Sequence, residues 1–367
     1  MIKKLGIPKE VKQDEGRIAL IPEHITQFTG LADIFVETQA GFGSGFTDKD
    51  YEDAGAKIVH SAEELYEISE IICKVKEPQP QELELLNSSH ILFAYLHLSS
   101  NISLTKALLD KKLTGIATEM IMDGKEYPLL IPMSRIAGNL AIQKGMQFLE
   151  YSSQGKGVLL SAISGEKNSK VTIIGCGEVG RASIHKSIQI GALVTAIDVN
   201  ENTLEDLKNK YGENISTIIS GTDEAVNAIR SADLVIGAVL LPGRKPTVVV
   251  TKEDISAMEQ GTVIVDVAID QGGCVEGVKP NTHSDPFEIR NGVIVSAIAN
   301  LPGAVPRTSS IELSTNLQKY VDNLLIENWF DKYKNNESLR PSLQIHNGLL
   351  LSEEVADSLS LTLSKLV

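Results

Sequence analysis

The chain has 367 residues, of which 42% are hydrophobic and 22% are charged, and its formal net charge at pH 7 is −14. This length is more than one hydrophobic core usually organises, so we expect two domains. The acidic balance argues against nucleic acid or an anionic membrane as the main partner, because both call for a basic face. The three cysteines form no CxxC pair, and neither a signal peptide nor a long apolar run is evident, so we expect a cytoplasmic protein without a metal site or disulfides.

Short apolar runs alternate with amphipathic segments from the start of the chain. This alternation is typical of an α/β layer with a mostly parallel sheet. The predicted strands are Lys4–Ile7, Asp33–Thr38, Lys57–His60, Ile71–Val75, Ile91–Leu96 and Gly115–Thr118. Helical patterns between them cover Glu23–Phe28, Ala62–Ile68 and Ser103–Lys111. A longer helical pattern from Met133 to about Tyr151 then predicts a connector between two domains.

A second α/β series follows this connector. Its helices are predicted at Glu178–Ile190 and from a capping Asn200 to about Tyr211. Its strands are predicted at Val171–Ile174, Leu193–Val199, Ile215–Ser220, Leu234–Leu240, Val263–Ile269 and Val293–Ala299. A final helix, Thr308–Trp329, lies too far along the chain for that sheet, so we expect it to return to the first domain.

A glycine-rich turn, Gly175-Cys176-Gly177-Glu178-Val179-Gly180, joins the first strand and helix of the second series. A glycine-rich turn is also compatible with a mere tight connection, but this one has a strand before it and a helix after it, as a dinucleotide site requires. Asp198 ends the next predicted strand, where an acid can bind a ribose 2′-hydroxyl or else cap the following helix. A carboxylate there would repel a 2′-phosphate, so the pattern favours NAD over NADP.

Three further segments should lie at the carboxyl ends of strands in the same sheet, where ligands bind in α/β folds. They are Val239–Gly243, Ala268–Gly273 and Ala299–Gly303. Asp270 precedes two glycines and is either directed at a ligand or an ordinary turn residue. Ser134, at the start of the connector, is equally compatible with a helix cap and with a ligand contact.

In the first series, three residues that can bind or transfer charge adjoin apolar runs. An arginine can hold a carboxylate through two hydrogen bonds, a lysine can polarise a carbonyl, and a histidine can exchange a proton near neutral pH. Arg17, Lys76 and His97 are therefore candidates for a substrate site. Each also has a structural interpretation, as an ion-pair partner, a solvated strand end and a hydrogen-bonded strand terminus respectively.

Segments distributed over nearly the whole chain resemble bacterial L-alanine dehydrogenase. They are GIPKE with Arg17, AGFGSGFTDKDYEDAGA at 40–56, KVKEP at 74–78, LFAYLHL at 92–98, PLLIPMS at 128–134, ADLVIGAVLLPG at 232–243, VIVDVAIDQGG at 263–273 and NLPGAVPRTSS at 300–310. The resemblance implies two Rossmann-like, doubly wound parallel-sheet domains with a cleft between them. Residues 1–132 plus 305–367 would form the substrate domain, and residues 133–304 the NAD-binding domain.

The resemblance also assigns roles by position. Arg17 and Lys76 match the substrate-binding residues, and His97 and Asp270 match the catalytic ones. The matched cofactor contacts are Ser134, Gly175, Gly177, Glu178, Val179, Gly180, Asp198, Ser220, Val239, Leu240 and Asn300. The implied reaction is the reversible oxidative deamination of L-alanine to pyruvate and ammonia, with NAD as cofactor, in a homohexamer.

The chain departs from the family pattern at a few positions, including Thr118, Arg135 and Asn139. None of these removes a proposed catalytic residue, but they leave the side-chain preference open. A dehydrogenase of another small amino acid, or one that makes opine-type amino acids, would use the same hydride chemistry. A transhydrogenase subunit and an NAD-binding regulatory protein without turnover are further alternatives.

Overall fold

The computed structural model describes residues 3–161, 163, 169–239 and 247–365. The chain divides into two compact units. Unit 1 comprises Met1–Met133 and Val305–Val367, and unit 2 comprises Ser134–Ala304. Within the described ranges, no helix combines the length and apolar character needed to cross a membrane.

Fifteen strands are present in the described part of the chain. In order they are β1 Lys3–Ile7, β2 Ala32–Glu37, β3 Lys57–Val59, β4 Ile71–Cys73, β5 Ile91–Ala94, β6 Thr114–Ala117, β7 Lys170–Ile174, β8 Leu193–Asp198, β9 Ile215–Ile219, β10 Leu234–Gly237, β11 Val263–Asp266, β12 Glu288–Arg290, β13 Val293–Ser296, β14 Leu343–His346 and β15 Leu349–Leu350.

The α-helices of the described residues connect these strands. They are α1 Pro22–Ile25, α2 Asp48–Asp53, α3 Ala62–Ile68, α4 Pro80–Leu83, α5 Ile102–Lys111, α6 Leu130–Phe148, α7 Glu178–Gln189, α8 Glu201–Tyr211, α9 Asp223–Arg230, α10 Lys252–Ala257, α11 Pro306–Leu325, α12 Trp329–Asn335 and α13 Glu353–Leu359. Several begin at a polar cap: the Asn200 side chain accepts hydrogen bonds from the amides of Asn202 and Thr203, as predicted for α8.

The unit 1 sheet has the strand order β15-β14-β6-β5-β4-β1-β2-β3. Strands β1 to β6 pair in parallel, and β14 and β15 add an antiparallel edge. The central strands β4 and β5 are buried along their whole length, as expected for parallel strands covered on both faces.

The unit 2 sheet has the order β12-β13-β11-β10-β7-β8-β9. All its pairs are parallel except that of β12 with β13. The predicted α/β class with two mostly parallel sheets is therefore confirmed.

Several element boundaries differ from the predictions. Strand β11 stops at Asp266, and Val267–Gln271 forms a 3-10 helix, because the Asp266 carboxylate accepts the Ala268 amide and turns the chain. Strand β10 stops at Gly237. The predicted helix Thr308–Trp329 is instead α11, which ends at Leu325, and Trp329 begins α12. Strands β12, β14 and β15 were not predicted, since they add antiparallel edges to the two sheets, outside the alternation of parallel strands and helices.

Candidate active site

Both sheets contain the same central strand order. In unit 1 it is β3-β2-β1-β4-β5-β6, and in unit 2 it is β9-β8-β7-β10-β11-β13. The chain passes from β1 to β2 and from β4 to β5 in opposite directions across the sheet, and from β7 to β8 and from β10 to β11 likewise. In doubly wound sheets such a reversal leaves a crevice beyond the carboxyl ends of the two strands. Ligands of doubly wound sheets bind at this switch point. The predicted site residues that the structure describes, other than Ser134, lie at the carboxyl ends of strands or in the segments that follow them, at this edge of their own sheet.

In unit 2, the turn after β7 contains the three glycines of the dinucleotide motif. Gly175 has φ +89°, and a Cβ added to it would lie 2.6 Å from the Ala238 carbonyl oxygen. A Cβ on Gly180 would lie 1.9 Å from the Gly175 oxygen. A Cβ on Gly177 would meet no described atom within 4 Å. Internal packing thus accounts for Gly175 and Gly180, whereas the space at Gly177 fits a ligand that approaches the backbone.

The helix α7 begins directly after this turn. Gly177 is its N-cap and supplies no side chain, and Glu178 and Val179 form the first turn. The first amides of a helix have no partner within the helix and carry a partial positive charge. The open space at Gly177 and these amides together fit the diphosphate of a dinucleotide.

Asp198 lies at the carboxyl end of β8, next to the glycine turn. One carboxylate oxygen accepts the Cys176 amide at 2.6 Å, and the other accepts the Asn200 amide at 2.9 Å. Asp198 thus orders the glycine turn and the backbone of Asn200, which caps α8, while its own side chain stays partly exposed. Ser220 follows β9, and its amide donates to the Asp198 carbonyl at 2.9 Å.

Ser134 lies in the first part of α6, which crosses α7 closely. Ser183 on α7 donates to the Gly138 carbonyl at 3.0 Å, and Arg135 contacts Glu178 at 2.9 Å. This crossing brings the turn of α6 that contains Ser134 towards the start of α7. Val239 follows β10 at the same edge, half-buried. Leu240 lies outside the described residues.

Asp270 is exposed on the 3-10 helix that follows β11. It is connected to another predicted residue, because one of its oxygens accepts the Asn300 amide at 3.1 Å. The buried Asp266 carboxylate accepts the amides of Ala268, Cys274 and Val275, and so fastens both ends of the segment on which Asp270 lies. Asp270 is thus presented from a fixed loop, together with Asn300.

In unit 1, Arg17 is 2% exposed and forms a two-point ion pair with Glu15. The Arg17 Nε donates to Glu15 Oε1 at 2.7 Å, and Nη2 donates to Oε2. Burial by itself would raise the pKa of Glu15, but the hydrogen bonds and charge of Arg17 outweigh it and lower the pKa to about 2. The other guanidinium nitrogen contacts the Met133 sulfur at 3.4 Å. These contacts hold the buried Arg17 side chain in a defined orientation.

Lys76 follows β4 and is partly buried. Its charge contributes to the lowered pKa of Glu15, so its ammonium lies within electrostatic reach of the Arg17–Glu15 pair. Its backbone amide lies 3.4 Å from a carboxylate oxygen of Glu10. The structure thus brings Lys76 and Arg17 to one edge of the sheet.

His97 follows β5 at that same edge, with its backbone in the left-handed region at φ +47° and its side chain exposed. The Glu119 carboxylate holds this turn, because it accepts the His97 amide at 2.7 Å and also lies 3.6 Å from the His97 Nδ1. The Tyr95 ring stacks on the His97 ring with centroids 6.1 Å apart, and the Arg17 charge acts on Tyr95. The exposed imidazole is therefore oriented by its surroundings and open to a ligand.

Sequence reasoning did not single out the residues that support these side chains. They include Glu15, Tyr95, Glu119 and Met133. Only Glu15 carried a local signal, as an acid two residues before Arg17 in the same loop. Glu119 is 22 residues from His97 and is recognised only once β5 and β6 are paired.

Comparisons with known proteins agree with the motif resemblance. Residues 6–137 match the N-terminal domain model of the alanine dehydrogenase/PNT family, and residues 141–353 match its C-terminal domain model. The alanine dehydrogenase of Bacillus subtilis (strain 168) is 43% identical over 357 residues, which is 97% of this chain and 94% of that protein. The alanine dehydrogenase of Methanococcus maripaludis is 41% identical, over 96% of this chain and 95% of that protein.

A solved structure titled L-alanine dehydrogenase superposes with a TM-score of 0.93 at 38% identity. The match covers 97% of this chain and 99% of that one. The match therefore includes most of both units. The resemblance predicted from the sequence is therefore confirmed, and the chain belongs to the alanine dehydrogenase/PNT family.

Proposed function

We propose that the chain catalyses the reversible, NAD-dependent oxidative deamination of L-alanine to pyruvate and ammonia. The observation that carries this proposal is that each sheet presents groups suited to a ligand at the carboxyl ends of its strands, near its own reversal of strand order. Unit 2 presents backbone amides and Asp198 there, which suit a dinucleotide. Unit 1 presents two cations and an exposed imidazole there, which suit a small carboxylate that exchanges protons.

The cofactor is proposed to be NAD. The glycine turn and the α7 amides would hold its diphosphate, and Asp198 would accept from the ribose hydroxyls. The Asp198 oxygens accept two backbone amides beside the glycine turn, and a carboxylate at this place would repel a 2′-phosphate. NAD, when bound, would accept the hydride that leaves the α-carbon of alanine. Ser134, Ser220, Val239 and Asn300 are proposed as further contacts.

Arg17 and Lys76 are proposed to bind the substrate. Arg17 would hold the carboxylate, while the Lys76 ammonium would stabilise negative charge on the oxygen of the 2-oxo acid. Glu15 leaves the pair of cations with one net positive charge, which matches a monoanionic carboxylate such as pyruvate.

His97 and Asp270 are proposed to move protons. His97, oriented by Glu119, would take the proton from the water that adds to the iminium carbon and would return it during collapse to ammonia and pyruvate. Asp270 would accept a hydrogen bond from the substrate amine and hold it during this step. Nothing observed favours the opine-type, transhydrogenase or regulatory alternatives over this assignment.

We also propose that the protein is a cytoplasmic homohexamer, since the family is commonly hexameric. Light scattering on the purified protein should give six times the chain mass of 39.7 kDa.

A panel assay tests the proposed reaction. NADH, ammonium and one of several 2-oxo acids are mixed with the protein, and the loss of NADH absorbance is followed. We expect pyruvate to give the highest kcat/KM and NADPH to be a poor substitute for NADH. Preference for another 2-oxo acid would contradict alanine as the substrate. Tight NADH binding without turnover of any acid would contradict an enzymatic role.

A further inference from the structure

A fully buried lysine lies two residues before Lys76. Lys74 has a side chain that is 0% exposed, and its ammonium is flanked by Glu10 and Glu82, which are 3% and 4% exposed. The Nζ atom lies 3.1 Å from Glu10 Oε2 and 2.6 Å from Glu82 Oε1. The Tyr66 hydroxyl also donates to Glu82 Oε1, at 3.0 Å. One cation and two carboxylates are thus enclosed within unit 1, close along the chain to Lys76.

A net gain in stability is not the general result of burying such a cluster. Removing each charge from water costs several kcal/mol, and well-packed apolar side chains often replace buried ion pairs without loss of stability. A buried ionic cluster is therefore better explained by a role in fixing one arrangement of the chain. The geometry shows which segment it fixes.

The two carboxylates differ in what they hold besides Lys74. Glu10 uses its Oε1 atom for the amides of Val75 and Lys76, at 2.6 and 3.4 Å. The Oε2 atom of Glu82 accepts the amide of Gln79, the N-cap of α4, so this hydrogen bond closes the start of the helix that contains Glu82. Glu10 thus connects the buried ammonium to the backbone of the residue proposed to bind substrate, whereas Glu82 connects it to a neighbouring helix.

We propose that Glu10 is a positioning residue for Lys76. Its carboxylate fixes the backbone from which the Lys76 ammonium reaches the substrate oxygen, and Lys74 locks Glu10 in that orientation. This inference rests on the proposed function of Lys76 as a substrate-binding cation. It makes the affinity for the 2-oxo acid depend on Glu10, a residue that is not itself proposed to contact the substrate.

Glutamine cannot reproduce both sets of contacts at this position. With its oxygen towards the two amides, its NH₂ group would face the Lys74 ammonium, and donor would meet donor. With its oxygen towards Lys74, its NH₂ group would face the two amide donors. Glu10→Gln therefore keeps the shape of the side chain while it releases one end of the link.

The test compares Glu10→Gln with Glu82→Gln in the full-length protein. Each variant removes the charge of one of the two carboxylates paired with Lys74, so the two variants form a matched pair. A displacement of about 1 Å at a substrate-positioning group can cost on the order of 100-fold. We expect Glu10→Gln to raise the KM for pyruvate about 10- to 100-fold with a smaller change in kcat. Glu82→Gln should change this KM less than about threefold. The dissociation constant of NADH should stay within about twofold in both variants.

An unchanged KM for pyruvate in Glu10→Gln would overturn the proposal, as would an equal rise in Glu82→Gln. If Glu10→Gln does not fold, Glu10→Asp replaces it, because the shorter chain keeps the charge but cannot reach Lys74 and the two amides together. The wild-type protein offers a measurement that needs no variant, since fast hydrogen exchange at the Val75 amide would also overturn the proposal.

Lys76→Ala separates this inference from the proposed function. If Lys76→Ala raises the KM for pyruvate and Glu10→Gln does not, the positioning role is wrong and the substrate role of Lys76 stands. If Lys76→Ala leaves the KM for pyruvate unchanged, the proposed function of Lys76 is wrong.

Discussion

The two units use the same strand order but build opposite kinds of connection after their first strand. In unit 2, three residues separate β7 from α7, and two of them are glycines. In unit 1, residues 8–21 separate β1 from α1, and this segment contains the buried charges Glu10, Glu15 and Arg17. The short connection presents backbone amides, and the long one presents side chains.

This difference follows from what each connection is proposed to bind. A diphosphate is large, doubly charged and common to many enzymes, so a helix terminus with space around it is sufficient. A small carboxylate offers few atoms for recognition, so directed cations are needed, and these must be held by partners when buried. Glu15 is the ion-pair partner of Arg17, and Glu10 accepts the backbone amide of Lys76. We therefore expect binding and stability to respond mainly to substitutions of charged residues in unit 1, and to substitutions of glycines that fill space beside the backbone in unit 2.

The largest expected effect comes from the exposed histidine of unit 1. His97→Ala removes the proposed proton-transfer group, so we expect kcat to fall by about 10²- to 10⁴-fold. The dissociation constant of NADH should hardly change, because the glycine turn belongs to unit 2. Steady-state rates and NADH fluorescence titration measure the two quantities. His60→Ala, at another exposed histidine of unit 1, is the control and should retain activity. A normal kcat for His97→Ala would remove this residue from the mechanism.

The two kinds of connection also differ in how far the sequence predicted them. The glycine turn and Asp198 lie within 24 residues of one another and follow a local pattern, so the position of each at the ends of β7 and β8 was predictable. The ion-pair partners of unit 1 were not. Glu10 meets Val75 only because β1 and β4 are neighbours, and this pairing is decided by the whole sheet.

The ends of strands were least predictable where a side-chain hydrogen bond ends a strand within a run of apolar residues. Val267–Ile269 continues the apolar pattern of β11, yet Asp266 accepts the Ala268 amide and converts these residues into a 3-10 helix. Asp270 is displaced from the strand end as a result. Such hydrogen bonds depend on geometry that hydrophobic periodicity does not contain.

The second prediction concerns the dependence of stability on pH in unit 1. The pKa of Glu15 is about 2 in the folded chain, against an ordinary value of 4.5, because Arg17 stabilises its charge. The pair therefore contributes fully above pH 4.5, and its contribution is lost as the pH falls towards 2. This group alone should lower the free energy of unfolding by up to about 1.4 kcal/mol per pH unit in that window, about 3 kcal/mol in all.

Glu15→Gln should remove this component, so that its stability declines less steeply below pH 4.5 than that of the wild type. Urea denaturation between pH 6 and 3.5, at fixed ionic strength, measures the difference in slope. Glu52→Gln, at an exposed carboxylate on α2, is the matched control and should follow the wild-type profile. Equal slopes for Glu15→Gln and wild type would show that the ion pair does not contribute to folding.

The smallest expected effects distinguish two glycines of unit 2. A methyl group on Gly180 would collide with the Gly175 oxygen, so Gly180→Ala should lower the stability of the cofactor-free protein by about 1–3 kcal/mol. Gly177 has φ −71°, which alanine adopts, and a methyl group there meets no described atom within 4 Å. Gly177→Ala should therefore unfold at the wild-type urea concentration and yet bind NADH at least about tenfold more weakly, since the methyl group would occupy the space proposed for the diphosphate. If Gly177→Ala binds NADH with wild-type affinity, the diphosphate does not lie at Gly177. The proposal that unit 2 binds its ligand through open space at the backbone would then be wrong.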